Sequence, residues 1–321
     1  MDIARNRAGS RKSLRKNSLF TSIKVELSRN KYLYIMLTPF VLWYLVFAYK
    51  PMGGLIAAFK AYNNPWVGIE NSPWVGFQNF IDFFTGPYFW RVFKNTLTIS
   101  LSTLIFGFPL PIILALMLNE LRTSVFKKTA QTILYLPNFI STMVVAGMVV
   151  NFLSPSYGVI NLILERLGIE KQYFLIKKEY FVPIYVLLEI WKSTGFGSII
   201  YSAALTGVDQ ELYDACKIDG GGKWRQLFSV TLPAILPTII IMLILRLGNM
   251  LEVGYETIIL LYQPVTYETA DVISTYVFRT GLVEGKYSIA TTVGLFNGAI
   301  ALILVVGANY ISKKTTEVGL W

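Results

Sequence analysis

The chain has 321 residues, of which 54% are hydrophobic and only 15% charged, with a net charge of +10. Soluble domains carry about 25% charged residues, so this composition excludes an ordinary soluble protein. With no histidine and a single cysteine, Cys216, it also excludes an intrachain disulfide, a histidine-based metal site and Ser-His or Cys-His catalysis.

The apolar residues fall in blocks long enough to cross a bilayer, which takes roughly 20 helical residues. The blocks lack the alternation of a β-barrel. The expected fold is all-α and polytopic, with spans over about 32–59, 92–118, 129–153, 180–205, 234–262 and 287–311. Residues 1–31 form a basic tail, 32–311 the six-helix membrane domain and 312–321 a second tail. Seventeen of the 29 Lys and Arg lie in the tails and the even-numbered connections, eight in the opposite loops and four within spans. The positive-inside rule then places both termini in the cytoplasm. It accounts for the positive charge through membrane lipid, with no nucleic-acid partner.

In chain order, the tail "RNRAGSRKSLRKNSLF" reads as a topogenic segment near anionic lipid or as a docking segment. The first outside loop repeats Pro-Trp-Val-Gly, at Pro65 and Pro73; its tryptophans suit interfacial anchoring or contact with an outside partner. In the fourth span, Glu189 and Lys192 are three apart, as an internal ion pair or as pathway lining.

A polar insert over 206–233 follows. Glu211 to Ile218 reads as a short helix, stopped by Asp219-Gly220-Gly221-Gly222, where Asp-Gly favours a turn and glycine tolerates positive φ. Lys223 to Val230 reads as a second short helix, and Pro233 opens the fifth span, in the first turn where its missing N–H is harmless. Glu211 and Asp214 share a face, and Ala215 and Cys216 are small enough for close approach by a partner. An amphipathic loop packed on its own bundle is the alternative. "GGGKW" is no phosphate-binding loop, because the upstream glycine and strand are missing.

The fifth span continues through "RLGNMLEVGYETIIL". At 100° per residue, Arg246, Asn249, Glu252 and Glu256 fall within about a 120° arc. Such a stripe avoids lipid, where one charge costs ~2.5 kcal/mol or more, and faces a substrate pathway or a neighbouring subunit. Asn249, Glu252, Tyr255 and Glu256 are the substrate-pathway candidates, Tyr255 offering its ring to a sugar face or to packing.

"YDACKIDGGGKWRQLFSVTLPAILP" resembles the EAA loop of permease subunits of ATP-binding-cassette importers, roughly Glu-Ala-Ala-x-x-Asp-Gly-Ala, an apolar helix and Leu-Pro. Asp214 stands in the Glu place, Ala215 and Cys216 in the two Ala places, Asp219 and Gly220 match, Gly221 stands in the last Ala place, and Leu232-Pro233 match. "WVGFQNFIDFFTGPYFWRVFKNTLTIS" and "YETADVISTYVFRTGLVEGKYSIATTVGLFN" resemble carbohydrate-uptake permeases of the maltose type, LplB-like branch.

The resemblance implies a type I importer permease fold in the bacterial cytoplasmic membrane and an oligosaccharide cargo, with no catalytic residue or metal in this chain. It implies a second, different permease, two ATPase subunits that bind ATP and Mg, and an extracellular solute-binding protein. It assigns contact with the ATPase to Glu211, Tyr213, Asp214, Ala215, Cys216, Asp219, Gly220 and Gly221. Transport of an amino acid or an ion, or a secondary transporter, are the alternatives.

Overall fold

A computed structural model describes residues 26, 28–121 and 123–321. The basic tail, residues 1–25 and 27, lies outside them, as does Arg122. The described residues are helical, with one isolated bridge between Lys60 and Trp74. They divide into two units, one ending at Ile56 and one spanning Ala57–Trp321.

The first unit is the bulk of helix α1, Lys31–Phe59. None of its residues up to Ile56 is buried, and its apolar side chains, among them Trp43, Phe47 and Met52, are exposed.

The second unit begins with α2, Gln78–Thr85, and α3, Phe89–Glu120. Next come α4, Ser124–Phe139, and α5, Thr142–Phe152, bent against each other by 96°. Helix α6 is Val159–Arg166, α7 Lys178–Thr206 and α8 Gln210–Ile218. The unit ends with α9, Lys223–Gly248, α10, Tyr255–Leu261, α11, Ile273–Phe278, and α12, Tyr287–Thr316. Among the described residues, α1, α3, α9 and α12 are long and apolar enough to cross a membrane, and α4–α5 makes a fifth crossing if the bent pair is one span. The expected six is reached only with α7, which matches them in length but is less apolar because it carries Glu189 and Lys192.

Three expected boundaries shift for physical reasons. The third span breaks at Leu136–Phe139, a 3-10 turn around Pro137, and Ser141 caps the next helix by accepting from the Val144 amide. The fifth span ends at Gly248 and not at Tyr262. The sixth continues to Thr316, so half of the expected 312–321 tail is helix, and its last residues fold back: the Leu320 amide donates to Asn309 Oδ1 at 2.7 Å and Ser312 Oγ donates to the Val318 carbonyl at 2.6 Å.

Prolines explain the irregular turns within the long helices. Proline lacks an N–H and crowds the carbonyl four residues before it. Widened i→i+5 turns occur at Leu45–Tyr49, Thr103–Gly107 and Leu227–Thr231. Their centres are Phe47, Ile105 and Ser229, each four residues before a proline: Pro51, Pro109 and Pro233. One extra residue per turn moves the carbonyl away from the ring while the helix continues.

Helix α7 runs through the centre. Its Tyr185, Val186 and Leu188 pack with Ile99 of α3, Val145 of α5 and Ile258 of α10. Nearer its end, Tyr201 and Leu205 pack with Ala115 of α3 and Ile235 of α9. At Gly195 a Cβ would land on the Leu134 carbonyl oxygen, so glycine lets the α7 and α4 backbones touch, the small-residue contact that membrane helices use in place of a hydrophobic driving force.

The start of α3 is fastened to the chain between α10 and α11 by one carboxylate. Asp271 is fully buried, accepts from Arg91 at 2.8 Å and from Arg279 at 3.1 and 2.9 Å, and accepts from Thr275 Oγ1 at 2.9 Å. Asn95 adds a bond to the Asp271 carbonyl at 3.0 Å. These bonds to Asp271 push the Arg279 pKa up from an already high value. Removing one member of a buried ion cluster costs about 3–5 kcal/mol. Asp271→Ala is therefore expected to lower the thermal midpoint of the detergent-solubilised protein by several degrees, read by size-exclusion after heating; an unchanged midpoint would show that the cluster does not hold these elements together.

Candidate functional site

The polar insert folds as a closed corner. Asp209 starts α8 by accepting from the Glu211 amide at 3.0 Å, which satisfies an orphan donor of the first turn. At the other end Gly220 has φ +75°, the Gly221 amide donates to the Cys216 carbonyl at 2.8 Å and the Gly220 amide to the Lys217 carbonyl at 2.9 Å. This is the paired Schellman closure, which needs a left-handed residue after the helix.

The expected second short helix, Lys223–Val230, is instead the first part of α9. Helix α9 continues through the widened turn to Gly248, 26 residues or roughly 40 Å at 1.5 Å per residue. Three bonds tie it to neighbouring elements. Tyr213 Oη meets Thr231 Oγ1 at 3.0 Å, Gln226 Nε2 donates to the Gly221 carbonyl at 3.1 Å, and Lys223 Nζ pairs with Glu120 Oε2, at the end of α3, at 2.7 Å. The last is solvent-exposed and contributes little; the first two join α8 and its turn to α9.

The corner's outer surface carries Glu211, Asp214, Ala215, Asp219 and Gly220, all exposed, while Cys216 and Gly221 are buried beneath them. Asp214 is held by its own-helix neighbour Lys217 at 2.9 Å. This exposed i,i+3 pair is weak enough for a partner's cation to replace Lys217. Leu212 and Ile218 are exposed apolar residues on the same short helix. A Cβ at Gly221 would strike Cys216 Sγ and the Cys216 carbonyl. Two of the three departures from the family pattern, Cys for Ala at 216 and Gly for Ala at 221, are thus in contact: the larger side chain occupies the space that the glycine leaves.

Far along α9 lies the second feature. Beyond Gly248 the chain leaves the helix, and Asn249–Gly254 is irregular until α10 begins at Tyr255. Backbone away from helical pairing survives in a bilayer only where protein or a wet cavity satisfies it. Here the neighbours supply the bonds. Ser100 Oγ of α3 donates to the Met250 carbonyl, Ser274 Oγ of α11 to the Val253 carbonyl at 2.7 Å, and the Gly254 amide donates to Tyr185 Oη of α7 at 3.2 Å. Beside this segment is a cavity of about 230 Å³, lined by Tyr185, Glu189, Arg246, Asn249, Glu252 and Ser100 among others.

The expected helical arc is therefore corrected. Arg246, Asn249 and Glu252 do meet at one cavity, but through a break in the helix. Glu256, on α10, is exposed and does not line it, and Tyr255 stacks on Phe278 with ring centroids 5.6 Å apart. The Glu189–Lys192 pair does not form either. Lys192 Nζ donates to Thr142 Oγ1 of α5 at 2.7 Å, while Glu189 faces the cavity and accepts from Thr257 at 3.5 Å. Tyr185 and Ser100 were missed, because α7 and α3 read as apolar spans and only the chain's return brings them to the break.

The conserved-domain pattern for "Binding-protein-dependent transport system inner membrane component" matches residues 107–316. Protein LplB of Bacillus subtilis (strain 168) is 44% identical over 295 residues, 92% of each chain. The polygalacturonan/rhamnogalacturonan transport system permease protein YteP of the same organism is 43% identical over 297 residues, again 92% of each. A chain of a bacterial alginate ABC transporter, crystallised in complex with an alginate pentasaccharide-bound periplasmic protein, superposes with a TM-score of 0.85 at 48% identity, covering 94% of this chain and 100% of that one.

The Cys216–Gly221 contact generates a double-mutant test. Gly221→Ala alone overpacks the corner and is expected to cost about 1–3 kcal/mol, and Cys216→Ala should recover part of that loss in the double variant. Thermal midpoints of the four proteins give the coupling; strictly additive losses would show that the two positions do not compensate.

Proposed function

This chain belongs to the family of binding-protein-dependent transport system inner membrane components, and we propose that it is the permease subunit of an ATP-driven importer for oligosaccharides that carry acidic sugars. The observation that carries this reading is the closed corner at 209–221. It is a rigid, exposed, acid-and-small-residue surface joined by Tyr213–Thr231 and Gln226–Gly221 to a helix that ends beside a polar cavity in the membrane. The acidic cargo follows from relatives whose named cargoes are polygalacturonan and alginate.

The chain contains no nucleotide-binding motif, so energy enters from outside it. Two ATPase subunits, holding ATP and Mg, seat against the exposed Glu211, Asp214, Ala215, Asp219 and Gly220, which Tyr213, Cys216 and Gly221 support from beneath, with Asp214 and Glu211 meeting basic groups and Ala215 allowing close approach. Both termini lie on the ATPase side, in the cytoplasm. A second permease subunit faces the cavity and covers part of the apolar surface, and an extracellular solute-binding protein delivers the sugar.

When the ATPases close, α8 moves with them. Its two bonds to α9 pass the displacement along a continuous helix to Asn249–Gly254. That segment is held by three side-chain bonds from α3, α7 and α11, so it can exchange one bonded arrangement for another without leaving backbone groups bare. Asn249 and Glu252, with Glu189 and Arg246, supply donors and acceptors for sugar hydroxyls. Packing small-residue contacts such as Gly195 against Leu134 makes this a two-state rigid-body change.

Asp214→Lys tests the reading. It places a cation where the ATPase would offer one, so sugar uptake by the assembled transporter should fall at least tenfold while the variant reaches the membrane at its usual level. Uptake at the unaltered rate would remove Asp214 from the coupling surface.

A further inference from the structure

Helix α3 separates two ends of the molecule. Glu120, at one end, pairs with Lys223 beside the corner; Arg91, 29 residues and roughly 40 Å away, lies at the other, on the face the proposed orientation turns outward. There a cavity of about 300 Å³ opens, lined by Tyr88, Arg91, Tyr267, Tyr276, Arg279 and Lys286 among others. It is distinct from the intramembrane cavity, with which it shares no lining residue.

Its charge exceeds what its own structure needs. Arg279 alone grips both oxygens of Asp271, at 3.1 and 2.9 Å, which neutralises that buried carboxylate. Arg91 adds a second guanidinium through a single bond at 2.8 Å, and its Nε is buried with no partner. A guanidinium has five N–H donors, so most of those on Arg91 are free. Lys286 adds a further cation, itself paired with Glu284 at 2.8 Å. The Arg91 Nε donor is enclosed and out of a ligand's reach, so the donors left for one are those of the terminal nitrogens, on a side chain that is 32% exposed.

The aromatic lining indicates what kind. The Arg91 guanidinium lies 5.0 Å from the Tyr88 ring centre, and that of Arg279 lies 5.6 Å from Tyr267 and 5.9 Å from Tyr276. The rings hold the cations in fixed orientation and offer flat faces with hydroxyl tips. A guanidinium fork fits a carboxylate through two parallel hydrogen bonds, and a tyrosine face with a hydroxyl fits a pyranose ring. A recessed pocket of this size suits one sugar unit better than a protruding protein side chain.

We propose that the cavity around Arg91, Tyr88 and Arg279 binds the carboxylate of a uronic-acid unit on the outer face, as an entry subsite preceding the intramembrane cavity. The inference rests on the acidic-oligosaccharide reading above. The spare N–H groups of Arg91 take the carboxylate, Asp271 keeps both guanidinium planes in place from behind, and Lys286 adds attraction at the rim.

The experiment uses the complete transporter with its partner subunits, and trigalacturonate as the probe. Saturable binding is measured by calorimetry in the absence of the solute-binding protein, and uptake in reconstituted vesicles in its presence. Arg91→Lys keeps a charge on Asp271 but loses the fork. It should raise the Kd for trigalacturonate at least tenfold with the thermal midpoint preserved. Tyr88→Ala and Lys286→Gln, which remove no hydrogen bond to Asp271, should each raise it several-fold and serve if Arg91→Lys fails to fold.

Unchanged Kd values in folded variants, with the unaltered transporter importing trigalacturonate, would overturn the subsite and leave the acidic cargo standing. If the variants bind the sugar normally but lose stimulation by the solute-binding protein, the cavity is a protein-docking site and the proposal is wrong. If the unaltered transporter neither binds nor imports trigalacturonate, the acidic-cargo reading fails and the subsite with it.

Discussion

Between Gly248 and Tyr255 the chain gives up helical hydrogen bonds inside an apolar bundle, and lipid offers nothing in return. Each unsatisfied peptide group there would cost several kcal/mol, so the surrounding helices must be placed to meet them. Ser100 of α3, Tyr185 of α7 and Ser274 of α11 do so. This requirement brings three helices together around one short segment, and it turns the polar residues of that segment, Asn249 and Glu252, toward a cavity shared with Glu189 and Arg246. The cavity is a consequence of satisfying the break.

The same helix that ends at the break begins at the corner. Had Lys223–Val230 been a separate short helix, the corner and the cavity would be joined by a flexible link, and displacement at one would dissipate before reaching the other. Because α9 is continuous through its widened turn at Leu227–Thr231, the corner and Asn249 sit at the two ends of one rod. Pro233 is accommodated by that turn and does not interrupt the rod, so the proline that marked a helix start in the sequence marks only a change of pitch in the structure.

Features set by local chemistry were legible in the sequence. The short helix up to Ile218 and its stop at a positive-φ glycine depend on adjacent residues and fold as read, while the capping carboxylate of Asp209 lay in the same stretch unread. Legibility failed where the cause lay far away in the chain. Nothing between Arg246 and Glu256 except Gly248 and Gly254 signals a break, because the residues that compensate for it come from other helices, up to 150 positions away. The Glu189–Lys192 pairing was plausible on spacing alone, yet each side chain found a nearer partner on another helix. Asp271 with Arg91, 180 positions apart, left no mark on local pattern at all.

The central claim is that movement of the corner reaches the cavity through α9. With Cys216 replaced by Ala, a single cysteine at Asn249 reports on this directly, through its rate of modification by a water-soluble thiol reagent in the assembled transporter. The account predicts that the rate changes at least tenfold between the nucleotide-free and the ATP-bound, hydrolysis-blocked complexes, and that the change disappears when Tyr213 and Gln226 are both replaced by Ala. Equal rates in the two nucleotide states, in a complex that still transports, would contradict it.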